Sequence, residues 1–324
     1  MPSNTSLTPV GTLLTNFAVS YRPSISLFVA EKIFPRQPVS SDSGTYYKMA
    51  QDALFGDNED IPSGNDGAVG FKGAFQNIGD YELTSDTYKA EYFRFCISIH
   101  DDEKRKEKET PILKLRQNKT IRLMNRMLLG RETRVKNIVT STSNITNNTT
   151  LSGNDQWSAF STSDPINDMR TAVDTVKKKS MVYNQAEYDL CAFIPYEVYS
   201  VLCFHPAILD LLPTNADKLA TVDIMKKFFQ LDEVTVPEVL WNNAIPGATV
   251  SQAYLWGKDV IVYLRAKGAA AQDGAHFGKI MEYNPFKTLS WVESPNIEFV
   301  GMEHASIEEL CAESSAYLIK TAVA

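Results

Sequence analysis

The sequence predicts an α+β protein that is incomplete as a single chain. Three observations carry this reading. A long helical pattern spans Thr110 to Val139, with strand-like segments before and after it. A stretch rich in Gly, Asp and Asn separates two strand-like limbs, as the tip of a long hairpin would. The N-terminus is polar but spotted with isolated apolar residues, so it needs another surface to pack against.

The helix comes first because the rest is arranged around it. Thr110 suits an N-cap, and Pro111 the first helical position, where its missing N–H is not needed. Ile121, Met124, Leu128, Val135 and Ile138 recur at helical spacing and predict one buried face. At 1.5 Å per residue the rod would reach about 45 Å, longer than a small domain is wide. Between Thr110 and Lys136 it carries eight Lys and Arg against Glu132 alone, inside a chain of formal net charge −7. Charge-rich helix faces are commonly just solvated. The alternative is an acidic counterpart: other parts of this chain, a neighbouring subunit, or nucleic acid.

The 324 residues allow one large domain or two to three lobes. With 44% hydrophobic and 22% charged residues the chain is globular, not disordered or fibrous. No apolar run reaches the roughly 20 residues of a membrane span. The first 17 residues lack the basic and apolar regions of a secretory signal. A pI near 5.3 excludes a surface that is basic all round. Cys96, Cys191, Cys203 and Cys311 fit no zinc spacing and read as free thiols, with Cys96 and Cys191 buried in apolar runs.

Residues 1 to about 30 form the arm, with Leu7, Val10, Leu13, Phe17 and Tyr21 among its apolar points. Val29 to about Ile99 turns to strands, interrupted by FGDNEDIPSGNDGAVGFKGAFQNIGD. A hairpin of that length with little core of its own should lie on another chain. The run DDEKRKEKE at 101–109 reads as an exposed helical turn or linker. Asp164-Pro165 caps a second helix whose stripe is Ile166, Met169, Val173 and Val176, closed by three lysines. Beyond it, DLCAFIP reads as a buried strand and PYEVYSVLCFHPAILDLLP as a helix. VDIMKKFFQLDEVTVPEVLW reads as a helix leading into a strand, and AYLWGKDVIVYLR as a strand pair around Gly257. Together they form a mixed lobe. The C-terminal runs FGKIMEYN, LSWVE, IEFVGME and SAYLIKTAV are strand-like.

Catalytic signatures are missing. No phosphate loop or nucleophile elbow occurs, and Gly64, Gly67, Gly70 and Gly73 sit in the hairpin tip with no strand-to-helix context. His100, His205, His276 and His304 do not pair at metal-ligand spacing, and His205 before Pro206 reads as a packed or capping residue. Glu303-His304 is an isolated pair, and Asp57, Glu59 and Asp60 lack the distal glutamate of a calcium loop. No cofactor is expected.

Several ordered runs carry a family likeness: Thr15-Asn16-Phe17-Ala18, Ala30 to Val39, Gly44 to Tyr47, and Pro195, Leu202, His205-Pro206 and Ile208-Leu209-Asp210, followed by Trp256-Gly257-Lys258. In these motifs and their order, over about residues 10 to 265, the chain resembles the major capsid proteins of tailed bacteriophages, with the Hong Kong 97-like shell fold. Val198 stands one place late against that pattern.

The resemblance implies an N-terminal arm (1–35), an extended β-hairpin loop (36–100) and a peripheral domain (101–189) holding the spine helix 110–139. It further implies a mixed α/β axial domain (190–275) and return strands (276–324) completing the peripheral and axial sheets. It implies a non-enzymatic shell subunit of a virion, assembled in a bacterial cytoplasm into hexamers and pentamers around double-stranded DNA, with no membrane. A separate scaffolding protein, a portal and decoration proteins are possible partners. Candidate inter-subunit contacts are Phe17, Tyr21, Phe55, Phe71 and Phe75. The candidate basic face of the spine helix is Lys119, Arg122, Arg126 and Arg134, serving subunit contacts first and packaged DNA by non-specific contact second. Some family members crosslink a loop lysine to a neighbour's asparagine; Lys48 and Lys72 lie in the loop, but no motif supports it here. Two alternatives share the page: an encapsulin-type compartment shell, and a soluble enzyme with a site near His205 and Asp210.

Overall fold

The computed structural model describes residues 28–48, 84–109, 114–180, 185–212, 219–242, 251–267, 276–294 and 296–324, with Ala244 and Thr249. Two sheets and one long helix organise these residues. The helix, α3 (Leu115–Val139), follows α1 (Ala30–Ile33) and α2 (Asp101–Glu109). Its 25 residues span about 37 Å. Thr110 and Pro111 lie outside the described residues. The residue before α3 is Lys114, left-handed at φ 38°, and the 101–109 run is a nine-residue helix of its own.

The first sheet has the order β1-β11-β12-β4, with β1 Arg36–Pro38, β4 Glu91–His100, β11 Gly278–Ser294 and β12 Ile297–Leu310. Sequence pattern suggests two strands in 277–293, yet β11 runs through as one. Register shifts between Glu282 and Lys287, around Pro285, absorb the irregularity. The second sheet has the order β5-β13-β10-β6-β7, with β5 Asn148–Thr150, β6 Tyr188–Phe193, β7 Glu233–Thr235, β10 Val260–Ala266 and β13 Ala316–Lys320. A short hairpin pairs β2 (Ser43–Lys48) with β3 (Thr84–Lys89). This is the base of the expected extended loop; residues 49–83 lie outside the described residues, and β4 leaves the hairpin to join the first sheet.

The long helix lies against both sheets. Its first half packs Leu123, Met124 and Met127 on Ile99, Val300, Met302 and Phe286 of the first sheet's region. Its second half packs Val135 and Val139 on Phe193, Ile261, Tyr263 and Leu318 of the second sheet, with Ile33 and Phe34 alongside. The opposite face of the second sheet is covered by α4 (Pro165–Ser180), α5 (Tyr196–Leu202), α6 (Pro206–Leu209) and α7 (Val222–Phe229). In α4, Asp164 accepts from the Asn167 amide at 3.1 Å, the N-cap bond the sequence suggests. Met169, Val173 and Val176 are buried as expected, with Ile166 half-buried against them. Sequence order groups α4 with the long helix, whereas the fold puts its apolar face on the five-stranded sheet.

Other expectations change. Of the expected α3 stripe, Met124 and Val135 are buried while Ile121, Leu128 and Ile138 are half-buried; the buried side also takes in Leu123, Met127, Arg131 and Val139. The expected 195–213 helix breaks into α5 and α6 at His205-Pro206. The expected 253–265 strand pair splits: β9 (Gln252–Tyr254) pairs with β8 (Leu240–Asn242), and β10 enters the five-stranded sheet after Gly257 at φ 62°. Cys96 is exposed rather than buried, beside the exposed Phe95 in the part of β4 that borders the groove along α3.

Candidate assembly surface along the long helix

The cations of α3 meet carboxylates held out by its neighbours. Arg116 is bidentate to Glu298 on β12 at 3.0 and 2.8 Å, and Lys104 joins at 3.4 Å. These bonds, Arg116 foremost, hold the Glu298 carboxyl below its usual pKa. Lys119 donates to the Ser98 carbonyl at 2.6 Å and to Glu103, whose pKa this bond lowers. Arg131, 1% exposed, reaches Glu31 at 2.8 Å and Glu282 at 3.2 Å, with its guanidinium 5.0 Å from the Phe286 ring. Arg134 forks onto Glu308 at 2.7 and 2.9 Å and sits 3.9 Å over the ring of Phe93. For these four the acidic counterpart is the chain itself. Planar, bidentate pairing of this kind fixes geometry as well as supplying attraction.

Glu132, the acid among the cations, has the opposite role. It is fully buried and accepts three N–H groups: Val29 at 3.1 Å, Ala30 at 2.9 Å and the Trp256 indole at 2.8 Å. The first two are at the start of α1; the third belongs to the turn before β10, where Trp256 lies 4.2 Å from Phe193. One carboxylate therefore joins the chain's entry, the long helix and the second sheet. Burial pushes its pKa up to about 7, against the pull of the three donors.

Arg122 and Arg126 differ from the other cations. Both are exposed, and among the described residues neither has an ion pair. They border a groove of about 610 Å³ between α3, β4 and β8, lined also by Phe28, Phe95, Ile97, Leu129, Leu240 and Glu238. Asn125 lies between the two arginines, and its buried Oδ1 has no hydrogen-bond partner among the described residues. Of the candidate basic face, then, Lys119 and Arg134 are engaged within the chain, while Arg122 and Arg126 remain open. Phe17, Tyr21, Phe55, Phe71 and Phe75 all lie outside the described residues.

The residues considered for catalysis have structural work instead. His205 Nδ1 accepts from the Ala207 amide at 3.2 Å, capping α6. The ring proton is therefore on Nε2 and is donated to Ser163 Oγ at 3.1 Å, so the imidazole does not present a base to that hydroxyl. Burial lowers its pKa, and Asp210 is exposed beyond the cap. Glu303 and His304 point to opposite sides of β12. Glu303 pairs with Arg94 at 3.2 Å, while His304 stacks on Phe286 with centroids 4.6 Å apart. Burial, aided by Arg131 and Arg134, lowers the His304 pKa to about 3. Among the described residues no three His, Cys, Asp or Glu gather as a metal site, and no helix is long and apolar enough to cross a membrane. Asp57, Glu59 and Asp60 lie outside the described residues.

No protein-family model matches the chain. It is 23% identical over 311 residues to the major capsid protein of Pseudomonas phage JBD67, covering 94% of this chain and 93% of that protein. Its backbone superposes on a phage-related protein of Bordetella bronchiseptica RB50 with a TM-score of 0.72, at 17% identity and 96% coverage of both chains. Against the capsid of cyanophage P-SCSP1u the TM-score is 0.60, at 9% identity, covering 93% of this chain and 90% of that one. The chain has the Hong Kong 97-like capsid fold. The described residues begin at Phe28 and break off between Lys48 and Thr84, so most of the expected arm and the outer part of the expected loop lie outside them. The acids that hold the long helix in place, Glu31, Glu282, Glu298 and Glu308, carry no signal in a single sequence, since each is one acid in a strand or short helix. Glu132 does: it is the one carboxylate in a run of eight cations.

Proposed function

We propose that the chain is the major capsid protein of a tailed bacteriophage, the repeating subunit of its head. The observation that carries this is the end-to-end match to a phage major capsid protein, 94% of one chain against 93% of the other, on a chain with the capsid fold. The subunit is a structural protein and a virion component. Its shell consists of hexamers and pentamers enclosing double-stranded DNA and is assembled in the bacterial cytoplasm. Many weak contacts acting together would hold such a lattice.

Within the subunit, the long helix with the four-stranded sheet serves as the peripheral domain, and the five-stranded sheet with its helices as the axial one. Residues 1–35 act as an arm and 36–100 as an extended loop, with Phe17, Tyr21, Phe55, Phe71 and Phe75 as contacts to neighbours. Arg122 and Arg126, without an ion pair among the described residues, are the part of the basic helix face left for subunits or for packaged DNA. The encapsulin-type reading shares the fold, but the sequence relative is a phage protein, which favours the phage head.

Purified protein under assembly conditions should form closed shells in electron micrographs and a large species by light scattering. Chain that remains monomeric in every condition would refute the proposal. Shells that package a cellular protein instead of DNA in the native host would turn it toward a compartment.

A further inference from the structure

One buried titratable side chain, His304, sits at the seam between α3 and the first sheet. It is 2% exposed, at the centre of a row of contacts that runs from β4 through β12 to β11. The Arg134 guanidinium lies 3.9 Å over the Phe93 ring, and Phe93 lies 5.2 Å from the imidazole. On its other side the imidazole stacks on Phe286 at 4.6 Å, and the Arg131 guanidinium is 5.0 Å from that ring. His304 is therefore the middle member, with a cation at each end. The helix supplies both cations, and the three strands supply one ring each.

The charges around the ring are already matched. Arg134 is paired with Glu308 of β12, and Arg131 with Glu31 of α1 and Glu282 of β11. Arg94 of β4 is paired with Glu303, on the other side of β12. His304 Nε2 shares a 3.0 Å hydrogen bond with Ser306 Oγ, which also reaches Glu308 at 3.5 Å. Nδ1 is buried and has no partner among the described residues. Whichever nitrogen carries the proton of the neutral ring, the imidazolium carries one on both. Protonation therefore puts a donor at Nδ1 with nothing to accept it. It also puts a third cation between two others, where the ring is shut off from solvent.

We propose that His304 is a proton-operated release in the joint between α3 and the four-stranded sheet: neutral, it completes the row that holds them together, and protonated, it drives them apart locally. A solvated imidazole titrates near 6.5, and this one, buried beside Arg131 and Arg134, at about 3. Opening the joint therefore takes up a proton between those limits. The open form gains about tenfold for each pH unit below 6.5, and about 100-fold at pH 4.5. Glu132 has the opposite sign, and its donors are on α1 and at Trp256, not on β4 or β12. Glu103 and Glu298, which also tie α3 to its neighbours, have lowered pKa values and let go only below pH 4.5. The window from 6.5 to 4.5 belongs to His304.

Amide hydrogen exchange on unassembled wild-type chain from pH 7 to 4.5, corrected for the intrinsic rate, reads the joint directly and does not depend on the shell-subunit reading. Amides of β4 and β12 should open about tenfold more readily per pH unit below 6.5, while those of β6 and β10 stay protected. Opening of β4 and β12 that is flat across this range overturns the proposal. An equal rise in β6 and β10 also overturns it, because that is unfolding of the whole chain and not a local release. Two full-length variants assign the effect to the ring. His304→Phe keeps an aromatic layer that cannot titrate, and His304→Gln keeps an N–H for Ser306. In either, the slope between pH 6.5 and 4.5 should vanish; a wild-type slope in a folded variant overturns the assignment. His205→Asn should leave the slope as it is, and loss of the slope there would move the release to another histidine and overturn the role of His304.

Discussion

Glu132→Ala and Glu132→Gln separate the two things this carboxylate does. Alanine leaves the Val29, Ala30 and Trp256 N–H groups buried without an acceptor. Each orphaned donor costs about 1–3 kcal/mol. Against this stands relief of the buried charge. Raising the carboxyl from its ordinary 4.5 to about 7 corresponds to about 3 kcal/mol of penalty on the ionised form. The net cost of alanine at neutral pH is then about 3 kcal/mol, within limits of about 0–6 kcal/mol. Glutamine keeps one carbonyl acceptor but turns its NH₂ toward a donor, so it should cost about 0–2 kcal/mol. The pH dependence has a definite sign. Because the native pKa is raised, the folded chain holds a proton between pH 4.5 and about 7 that the unfolded chain has lost. Stability from this group is full below pH 4.5, falls as pH rises toward 7, and is flat above. Urea unfolding of unassembled chain, followed by tryptophan fluorescence from pH 4 to 8, measures this as the difference between wild type and Glu132→Gln. Parallel curves for the two would refute a buried, titrating Glu132. A loss below 1 kcal/mol for Glu132→Ala would refute its role as the junction of α1, α3 and the Trp256 turn.

Arg134→Ala strands Glu308, whose side chain is only 4% exposed, and should cost about 3 kcal/mol in denaturant melts, with Arg134→Lys recovering part of it. Gly278→Ala would put a Cβ 2.4 Å from the ring of Phe34, so it should lower stability by about 1–3 kcal/mol unless Phe34 is also shortened. Gly301→Ala meets only the half-exposed indole of Trp291, and should shift its fluorescence with little change in melting temperature. His205→Ala should cost about 1–2 kcal/mol through the lost α6 cap, with His205→Asn recovering most of it, since asparagine is itself a strong N-cap; a variant that melts as the wild type would deny the capping role.

The parts of this fold that were legible in sequence are those governed by local chemistry. Asp164-Pro165 starts α4 because an aspartate followed by proline satisfies a helix N-terminus wherever it occurs. His205-Pro206 signals a cap for the same reason, and the sequence hid only that it also breaks a helix in two. Periodicity finds only part of the buried side of α3, Met124 and Val135, because Arg131 and Glu132 also occupy that side. No periodicity rule places a charge in a core; what permits it is Glu31, Glu282, Trp256 and two backbone amides, each far away in the chain. Cys96 was misplaced for the converse reason: an apolar run in a strand alternates between faces, and composition does not say which face is covered. Order and spacing of short motifs pointed to the capsid fold from a single sequence, although the sequence relative shares only 23% identity.

The basic helix in an acidic chain then has a physical explanation. A rod lying against two sheets has no apolar face wide enough for both, so its first half is held by Leu123, Met124 and Met127 and its second by Val135 and Val139. Between and beside these patches the contact is ionic, and the acids come from α1, α2, β11 and β12, which are separate in sequence. Cations concentrated on the rod and acids dispersed over what packs against it give each element one orientation, because sliding the helix by a turn would set arginine against leucine and glutamate against valine. Among the described residues Arg122 and Arg126 make no ion pair, although Glu238 lines the same groove. On the groove between α3, β4 and β8, that pair is charge not used in holding the described residues together.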